Sequence, residues 1–313
     1  MPAPSAMSAM SRREVLALAG TLATRGLAAT GSPKICIFSK HLQWLDVADA
    51  ARLAADMGFD GIDLTVRKGG HIDPARAAED LPRAVETIRK TGLEVPMVTT
   101  DIVTAQSEHA GEILRTISSL GIRAYRWGGF RLDPNRSIPD QLEAARGPVR
   151  ELAALNQSYG VCAMYHTHSG AGLLGASIWD LYLVLKGFDP DTVAVNFDIA
   201  HATIEGGLGG WRNSASLMAP FTRGIALKDF YWAKGVDGVW QPRWCPIGDG
   251  MVNFAEYFGA LGAGFRGPIQ LHFEYREMGG AEDGKRLLSI SRDQFRRNAE
   301  RDLKRIRELM RRT

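Results

Sequence analysis

Short apolar segments alternate with longer amphipathic segments along the chain from residue 34 onward. A short apolar run is typical of a buried strand, whereas apolar residues spaced three and four apart indicate a helix. Eight strands are predicted on this basis, at residues 34–39, 61–66, 94–98, 122–127, 161–165, 192–197, 224–228 and 268–273. An amphipathic helix is predicted after each strand, at residues 42–57, 74–91, 108–120, 141–159, 177–186, 213–218, 254–261 and near the end of the chain.

The regular alternation of strands and helices predicts the fold class. Alternation without a block of strands alone indicates a parallel sheet, and a count of eight favours a closed (β/α)8 TIM barrel over an open doubly wound sheet. No Gly-x-Gly-x-x-Gly follows the first strand, which argues against a dinucleotide-binding fold. We therefore expect one α/β barrel domain over residues 32–313.

The first 31 residues do not fit this alternation. Arg12 and Arg13 precede a mildly apolar stretch rich in Ala, Gly and Leu, a pattern that resembles a twin-arginine export signal. We expect a leader over residues 1–31 and a periplasmic protein, with a cytoplasmic protein carrying an Ala-rich tail as the alternative. The chain has no uncharged apolar run long enough for a transmembrane helix, so no membrane span is expected in the mature protein.

Charge adds little about partners. The net charge is +3, and residues 286–313 hold ten Lys or Arg against four Asp or Glu. This basic stretch also carries an apolar stripe at helical spacing, which favours a closing helix packed on the barrel over a nucleic-acid surface. The stripe consists of Phe295, Ala299, Leu303, Ile306 and Met310. No nucleic-acid partner is expected, and homo-oligomerisation is left open.

A long segment after the seventh predicted strand, about residues 230–251, is rich in aromatic residues. It contains Tyr231, Trp232, Trp240 and Trp244. Long loops at the carboxyl ends of barrel strands usually cover a functional site. We expect this segment to lie over the site.

Polar residues concentrate where the last four strands end, the position at which catalytic groups of such barrels lie. These residues are His166 and His168 on the fifth strand, Asp198 and His201 after the sixth, Lys228 on the seventh, and His272 and Glu274 on the eighth. Because successive strand residues face opposite ways, His166 and His168 share a face, as do His272 and Glu274. The apolar residues of the sixth strand leave Asp198 pointing into the barrel.

Imidazole and carboxylate groups on neighbouring strand ends form a mixed nitrogen and oxygen site. Such a site suits one divalent ion, Mn²⁺, Co²⁺, Zn²⁺ or Fe²⁺, better than Ca²⁺. The alternative for any single residue is a helix cap or a satisfied loop contact, but several unpartnered buried groups together would be costly. We therefore expect a metal site here.

The order of three motifs is more specific. Asp198-Ile-Ala-His201 follows the sixth strand, Leu227-Lys228-Asp229 lies on the seventh, and the segment from Pro246 to Phe254 leads into the next helix. Together with Glu274 and with segments in the first two strands, these motifs make the chain resemble the sugar phosphate isomerase/epimerase superfamily, the xylose isomerase-like barrels. The resemblance covers about residues 34–310.

This resemblance implies metal ligands at His166, Asp198, Ala226 and Glu274. His166 departs from the usual glutamate, and Ala226 lacks the usual histidine. The expected ligands are thus His166, Asp198 and Glu274. The fourth ligand, missing at Ala226, would then be water or a nearby histidine: His168, His201 or His272.

The remaining polar groups are assigned to catalysis and to substrate binding. Glu274 and either His168 or His201 are candidate bases, and Lys228 is a candidate for stabilising an oxyanion. Candidate substrate-binding residues are Arg67, His71, Arg126, Trp127 and His272.

We expect a small sugar as the substrate and isomerisation or epimerisation through an enediolate as the reaction. The first alternative is a lyase or hydratase acting on 3-keto sugars or 3-keto glycosides. An endonuclease of the same fold would need more metal ligands and a basic groove. A non-catalytic sugar-binding barrel would hold no tightly bound metal.

Overall fold

The computed structural model describes residues 33–311 of the chain. Its strands are β1 (Ile35–Phe38), β2 (Gly61–Val66), β3 (Met97–Thr100), β4 (Ala124–Trp127), β5 (Cys162–His166), β6 (Val193–Asp198), β7 (Thr222–Leu227), β8 (Asp229–Lys234), β9 (Trp240–Cys245) and β10 (Ile269–Leu271). Eight of them form a closed barrel in the order β1-β10-β7-β6-β5-β4-β3-β2. All neighbours in this barrel are parallel, so the predicted (β/α)8 fold class is confirmed.

The outer layer consists of helices that pack their apolar stripes on the barrel. They are α1 (Val47–Asp56), α2 (Ala77–Lys90), α3 (Ala110–Ser119), α4 (Ile138–Tyr159), α5 (Trp179–Leu185), α6 (Ile199–Met218), α7 (Phe254–Leu261) and α8 (Arg292–Met310). The closing basic helix α8 buries Phe295, Ala299, Leu303 and Ile306, as its stripe predicts.

The alternation of side chains along the strands divides the core into two parts. The larger part lies between barrel and helices and includes Val193, Val195 and Phe197 of β6. A smaller cluster inside the barrel consists of Met97, Ala124, Cys162, Met164 and Ala194. Asn196 and Asp198 follow Ala194 on the inward face, so this interior leads directly to the polar strand ends.

Two segments differ from the prediction. The helix predicted over residues 213–218 starts earlier, because α6 begins at Ile199 and continues through the Gly-rich stretch, with a break at Gly207 (φ 59°, ψ −153°). Helix formation begins this early because the Asp198 carboxylate accepts hydrogen bonds from the first backbone N–H groups. The expected long loop after the seventh strand is instead the antiparallel hairpin β8–β9, which is a separate two-stranded sheet.

The predicted export signal lies outside the described residues. Within residues 33–311, no helix has both the length and the apolar character that crossing a membrane requires.

Candidate metal centre and active site

Three side chains from β5, β6 and the end of β10 converge at the mouth of the barrel. His166, Asp198 and His272 each offer one ligand atom, and these atoms lie within 4.8 Å of one another. Nε2 of His166 is 3.6 Å from Oδ2 of Asp198. The rings of His166 and His272 are stacked with their centroids 5.4 Å apart. All three side chains are buried. We call this group the ligand cluster.

Asp198 uses its two carboxylate oxygens differently. Oδ1 accepts hydrogen bonds from the backbone N–H groups of Ala200 (3.0 Å) and His201 (3.1 Å), which caps α6. The backbone N–H of Asp198 donates to the hydroxyl of Thr167 at 2.9 Å, which further fixes the residue. Oδ2 is therefore held toward the ligand cluster by the start of a helix.

Several buried atoms of this region have no hydrogen-bond partner. They are Nε2 of His166, Nε2 of His201 and both ring nitrogens of His272. Oδ2 of Asp198 also accepts no hydrogen bond, and its close cation is the ammonium of Lys228. A buried polar atom without a partner costs free energy. Burial, helped by nearby positive charge, lowers the pKa of His166 and of His272 well below 6.5, so both imidazoles are neutral. Neutral imidazoles and a carboxylate fit a divalent ion.

Asn196 and Gln270 support His166 from inside the barrel. The side-chain amide of Asn196 lies 3.1 Å from Nδ1 of His166, and its Nδ2 donates to Oε1 of Gln270 at 2.6 Å. Oδ1 of Asn196 has no partner in this orientation. Rotating the side-chain amides of Asn196 and Gln270 together by a half-turn lets Oδ1 of Asn196 accept from Nδ1–H of His166 and from Nε2–H of Gln270. Nε2 of His166 is then free to bind a metal.

Lys228 places a positive charge against the ligand cluster. Its Nζ is 3.2 Å from Oδ2 of Asp198, and the side chain is buried. Burial raises the pKa of Asp198, and the Lys228 ammonium opposes that rise. Ala226, at the expected position of a seventh-strand ligand, pairs in register with Asp198 and is buried.

Glu274 lies beside the ligand cluster but is not a member of it. Its Oε1 accepts from Nζ of Lys40 at 3.1 Å and is 3.9 Å from Nδ1 of His272. Burial alone would raise the pKa of Glu274, but Lys228 and Lys40 outweigh it and bring the value to about 2. His272, which is predicted to bind substrate, thus occupies the place in the ligand cluster that is predicted for Glu274. Strand β10 ends at Leu271, so strict alternation does not extend to residue 274.

The two candidate histidine bases adjoin this group. The ring of His168 is 4.5 Å from that of His166 and 4.8 Å from that of His201. Nδ1 of His201 is 2.7 Å from the hydroxyl of Ser169, and Nε2 of His168 is 3.5 Å from the guanidinium of Arg126. Burial and Arg126 lower the pKa of His168 to about 3, so this imidazole is neutral.

A group of positively charged side chains surrounds the ring of Phe38, which itself packs against the ligand cluster. The ring of Phe38 stacks on His272 at 4.8 Å. Three cations lie within 6 Å of the same ring: Lys40 at 5.8 Å, Arg67 at 5.5 Å and Arg126 at 5.8 Å. The predicted substrate-binding arginines are thus brought to the site. Lys40 and Phe38 were not selected from the sequence, although both lie where β1 ends.

Asp63 is a further buried acid, and no motif in the sequence singles it out. It lies on β2, and both carboxylate oxygens accept from the Thr99 hydroxyl at 2.9 Å. Burial raises the pKa of Asp63 to about 7, against the opposing effect of Thr99 and Arg126.

Two of the predicted substrate-binding residues, Trp127 and His71, are held by contacts within the fold. Trp127 is 1% exposed, its indole donates to the carbonyl of Val103 at 2.7 Å, and its ring packs edge-on against Tyr165. It faces away from the interior because its neighbour Arg126 faces inward. The backbone N–H of His71 donates to the hydroxyl of Thr65 at 2.9 Å, and its ring nitrogen Nδ1 lies 3.3 Å from that oxygen. The structure places these two residues in the packing of β4 and β2.

Trp244 of β9 connects the hairpin to the site, as expected for a segment that covers it. Its ring is 5.3 Å from that of His201, and the ammonium of Lys228 lies 4.6 Å from its centroid.

The arrangement defines a (β/α)8 barrel with metal-type ligands and paired acids and bases at the carboxyl ends of its strands. Residues 51–309 match the family model described as xylose isomerase-like TIM barrel, and the chain belongs to that family. No curated protein matches the sequence.

Solved structures of known fold resemble the chain at low sequence identity. The apo 3-keto-D-glucoside 4-epimerase from E. coli is 15% identical, with a TM-score of 0.63, and the match covers 88% of this chain and 100% of that one. A xylose isomerase-like TIM barrel protein from Mycobacterium smegmatis in complex with magnesium is 15% identical, with a TM-score of 0.61 and coverage of 88% and 97%. The probable 3-DHS dehydratase from Bacillus anthracis is 14% identical, with a TM-score of 0.63 and coverage of 87% and 97%. At these identities the likeness establishes the fold.

Proposed function

We propose that this protein is a divalent-metal-dependent isomerase or epimerase that acts on a sugar. The observation that carries the proposal is the ligand cluster, in which His166, Asp198 and His272 direct unpartnered buried atoms at one point. Family membership and an epimerase among the structural neighbours support the same reaction class.

The three residues of the ligand cluster would hold the metal. Asn196 orients His166, and the start of α6 orients Asp198. A bound divalent ion would polarise the carbonyl and hydroxyl oxygens of a substrate. The mixed donor set suits Mn²⁺, Co²⁺, Zn²⁺ or Fe²⁺, and a magnesium-bound neighbour adds Mg²⁺ to the ions worth testing.

The chain's own residues supply the proton transfers. Glu274 is ionised, since its pKa is about 2, and its position beside the ligand cluster makes its carboxylate the candidate base for the proton on the carbon next to a substrate carbonyl. Lys228 donates to the oxyanion that develops as the enediolate forms. His168 and His201 are the other candidate bases and adjoin the ligand cluster; the lowered pKa of His168 keeps its imidazole neutral and suited to a hydrogen bond with a substrate hydroxyl. Arg67 and Arg126 hold substrate oxygens.

A lyase or dehydratase on a 3-keto sugar is the second candidate. The buried ammonium of Lys228 beside the ligand cluster favours it, because elimination requires an acid that protonates the departing oxygen. A dehydratase is also among the structural neighbours. Product mass separates the two reactions: it is unchanged after epimerisation and lower after loss of water or an aglycone.

The test combines metal binding with turnover. The metal-free protein is titrated with Mn²⁺ and with Zn²⁺ by calorimetry, and ketoses and 3-keto glycosides are then incubated in ²H₂O and analysed by mass spectrometry and NMR. We expect one bound ion and incorporation of deuterium next to the carbonyl. Asp198→Asn and His272→Ala should each lose metal binding, whereas His109→Ala on the barrel surface serves as the matched control.

A protein that binds no divalent ion would contradict the metal-dependent enzyme and favour a non-catalytic sugar-binding barrel. One group of metal-type ligands is found within residues 33–311. An endonuclease of this fold would need several, so we expect no cleavage of DNA.

A further inference from the structure

The β8–β9 hairpin carries a row of mainly aromatic side chains on one face. In an antiparallel ladder, directly paired residues point to the same side, and the sides alternate along each strand. Phe230 pairs with Trp244, Trp232 with Pro242, and Lys234 with Trp240. These residues therefore share a face, and we call them the aromatic row: Phe230, Trp232, Lys234, Trp240, Pro242 and Trp244.

The inner end of the aromatic row belongs to the candidate site. Phe230 is fully buried, and its ring lies 6.2 Å from Trp244 and 5.9 Å from Trp232. Trp244 in turn contacts His201 and the ammonium of Lys228. The row is thus continuous with the residues that would handle the reacting sugar.

The outer end of the row is open to solvent. Trp232 is 37% exposed and Trp240 is 60% exposed, and Nζ of Lys234 lies 5.6 Å from the Trp240 ring centroid. Exposed tryptophans that form a contiguous patch mark binding surfaces, because a ligand that covers their flat apolar faces removes apolar area from water. The exposed fraction rises outward from Phe230, so the row forms a track from the site to solvent.

The length of this track exceeds one sugar ring. Two residues along a strand advance about 7 Å, so the step from Trp244 to Trp240 spans about 13 Å. A monosaccharide held at the ligand cluster would reach Trp244, and Trp232 and Trp240 would contact only what is attached to it.

We propose that the aromatic row binds a second ring attached to the reacting sugar, so that the substrate is a glycoside rather than a free monosaccharide. This inference rests on the proposed function for the position of the first ring. A flat ring with an apolar face, either an aromatic aglycone or a second pyranose, stacks on Trp232 and Trp240. Lys234 at the outer end donates hydrogen bonds to its polar edge.

The experiment compares ligands that differ only in the second ring. Calorimetry measures the Kd of methyl β-glucoside, phenyl β-glucoside and cellobiose for the metal-loaded protein. The tested variant is Trp232→Ala/Trp240→Ala. The matched control is Tyr231→Ala, because Tyr231 is 45% exposed on the opposite face of the same strand. We expect at least one two-ring ligand to bind about tenfold more tightly than the methyl glycoside. This ratio should fall to near one in the double variant and persist in the control.

Equal Kd values in the wild-type protein, or no binding of any of the three ligands, would overturn the inference. A ratio unaffected by the double variant would also overturn it, and sedimentation would then reveal whether the row is instead a contact between two copies of the chain. These measurements require no turnover. A protein that keeps the ratio but exchanges no substrate proton would refute the proposed reaction and leave the aromatic row as a binding site.

Discussion

Nζ of Lys228 lies 3.2 Å from Oδ2 of Asp198, and the same oxygen lies 3.6 Å from Nε2 of His166. One carboxylate oxygen is therefore shared between a fixed positive charge and the ligand cluster. The ammonium and a bound ion would compete for the negative charge of Asp198.

Replacing Lys228 by methionine should tighten metal binding and slow catalysis. Removing the ammonium leaves the negative charge of Asp198 without a competing cation, so the Kd for Mn²⁺ should fall about tenfold. Turnover should fall about 10²- to 10³-fold because the developing oxyanion loses its donor. Calorimetry and steady-state kinetics measure the two effects. Lys228→Arg keeps the charge and should leave the metal affinity near the wild-type value; equal metal affinities of all three proteins would contradict the competition.

Glu274→Gln should abolish most turnover without releasing the metal. Glutamine cannot accept the substrate proton, which predicts a loss of about 10²- to 10⁴-fold in kcat. Metal content should be unchanged, because Glu274 lies outside the ligand cluster and is paired with Lys40. Elemental analysis and kinetics test both statements, with the exposed Glu277→Gln as control. Wild-type activity would refute the base, and loss of metal would make Glu274 a ligand.

Asp63 should make unfolding depend on pH in a defined window. Its pKa is raised from 3.8 to about 7 in the folded protein, so the folded state keeps a proton that the unfolded chain releases. Its contribution to stability is complete below pH 3.8 and is lost as pH rises through 7. Relative to Asp63→Asn, the wild-type unfolding free energy should fall by about 1.4 kcal/mol for each pH unit in this window.

Urea unfolding of the wild-type protein and of Asp63→Asn at several pH values measures this difference. A difference that stays constant between about pH 4 and 7 would mean that Asp63 is ionised in the fold.

Asp229 should stabilise the loop that follows the hairpin. Its carboxylate accepts from the backbone N–H groups of Phe230 (2.9 Å), Gly248 (2.9 Å), Gly250 (3.1 Å) and Val252 (3.1 Å). Asp229→Ala leaves these donors without an acceptor, and a loss of about 3 kcal/mol in unfolding free energy is expected.

Hydrogen exchange of residues 248–252 should quicken in the same variant, whereas Asp229→Asn, which keeps one acceptor oxygen, should lose about half as much stability. Wild-type exchange in Asp229→Ala would show that the loop is held by its other contacts. A β-carbon at Gly250 would overlap the Asp229 carboxylate, so Gly250→Ala should weaken the same loop.

The barrel could be predicted because its strands carry strong local signals. The apolar residues of β6 fix which face of that strand meets the helices, and the inward position of Asp198 follows directly. The early start of α6 could not be predicted from the glycines around Gly207, because a capping carboxylate and tertiary packing override their low helix propensity.

The exact composition of the ligand cluster depended on where a strand ends. His272 and Glu274 would share a face on a longer strand, but β10 stops at Leu271 and Glu274 pairs with Lys40 from the far end of the chain. That contact joins residues 234 positions apart, and no local pattern encodes it. Trp127 lies in the outer core for a simpler reason, since a large aromatic next to an inward arginine points outward between strand and helices.

The hairpin β8–β9 shares no ladder with the barrel strands. Its tip can therefore change in length or sequence without disturbing the hydrogen bonds that hold the ligand cluster in place. In evolution or in the laboratory, such a segment allows the range of accepted substrates to diverge while the chemistry beneath it is inherited intact.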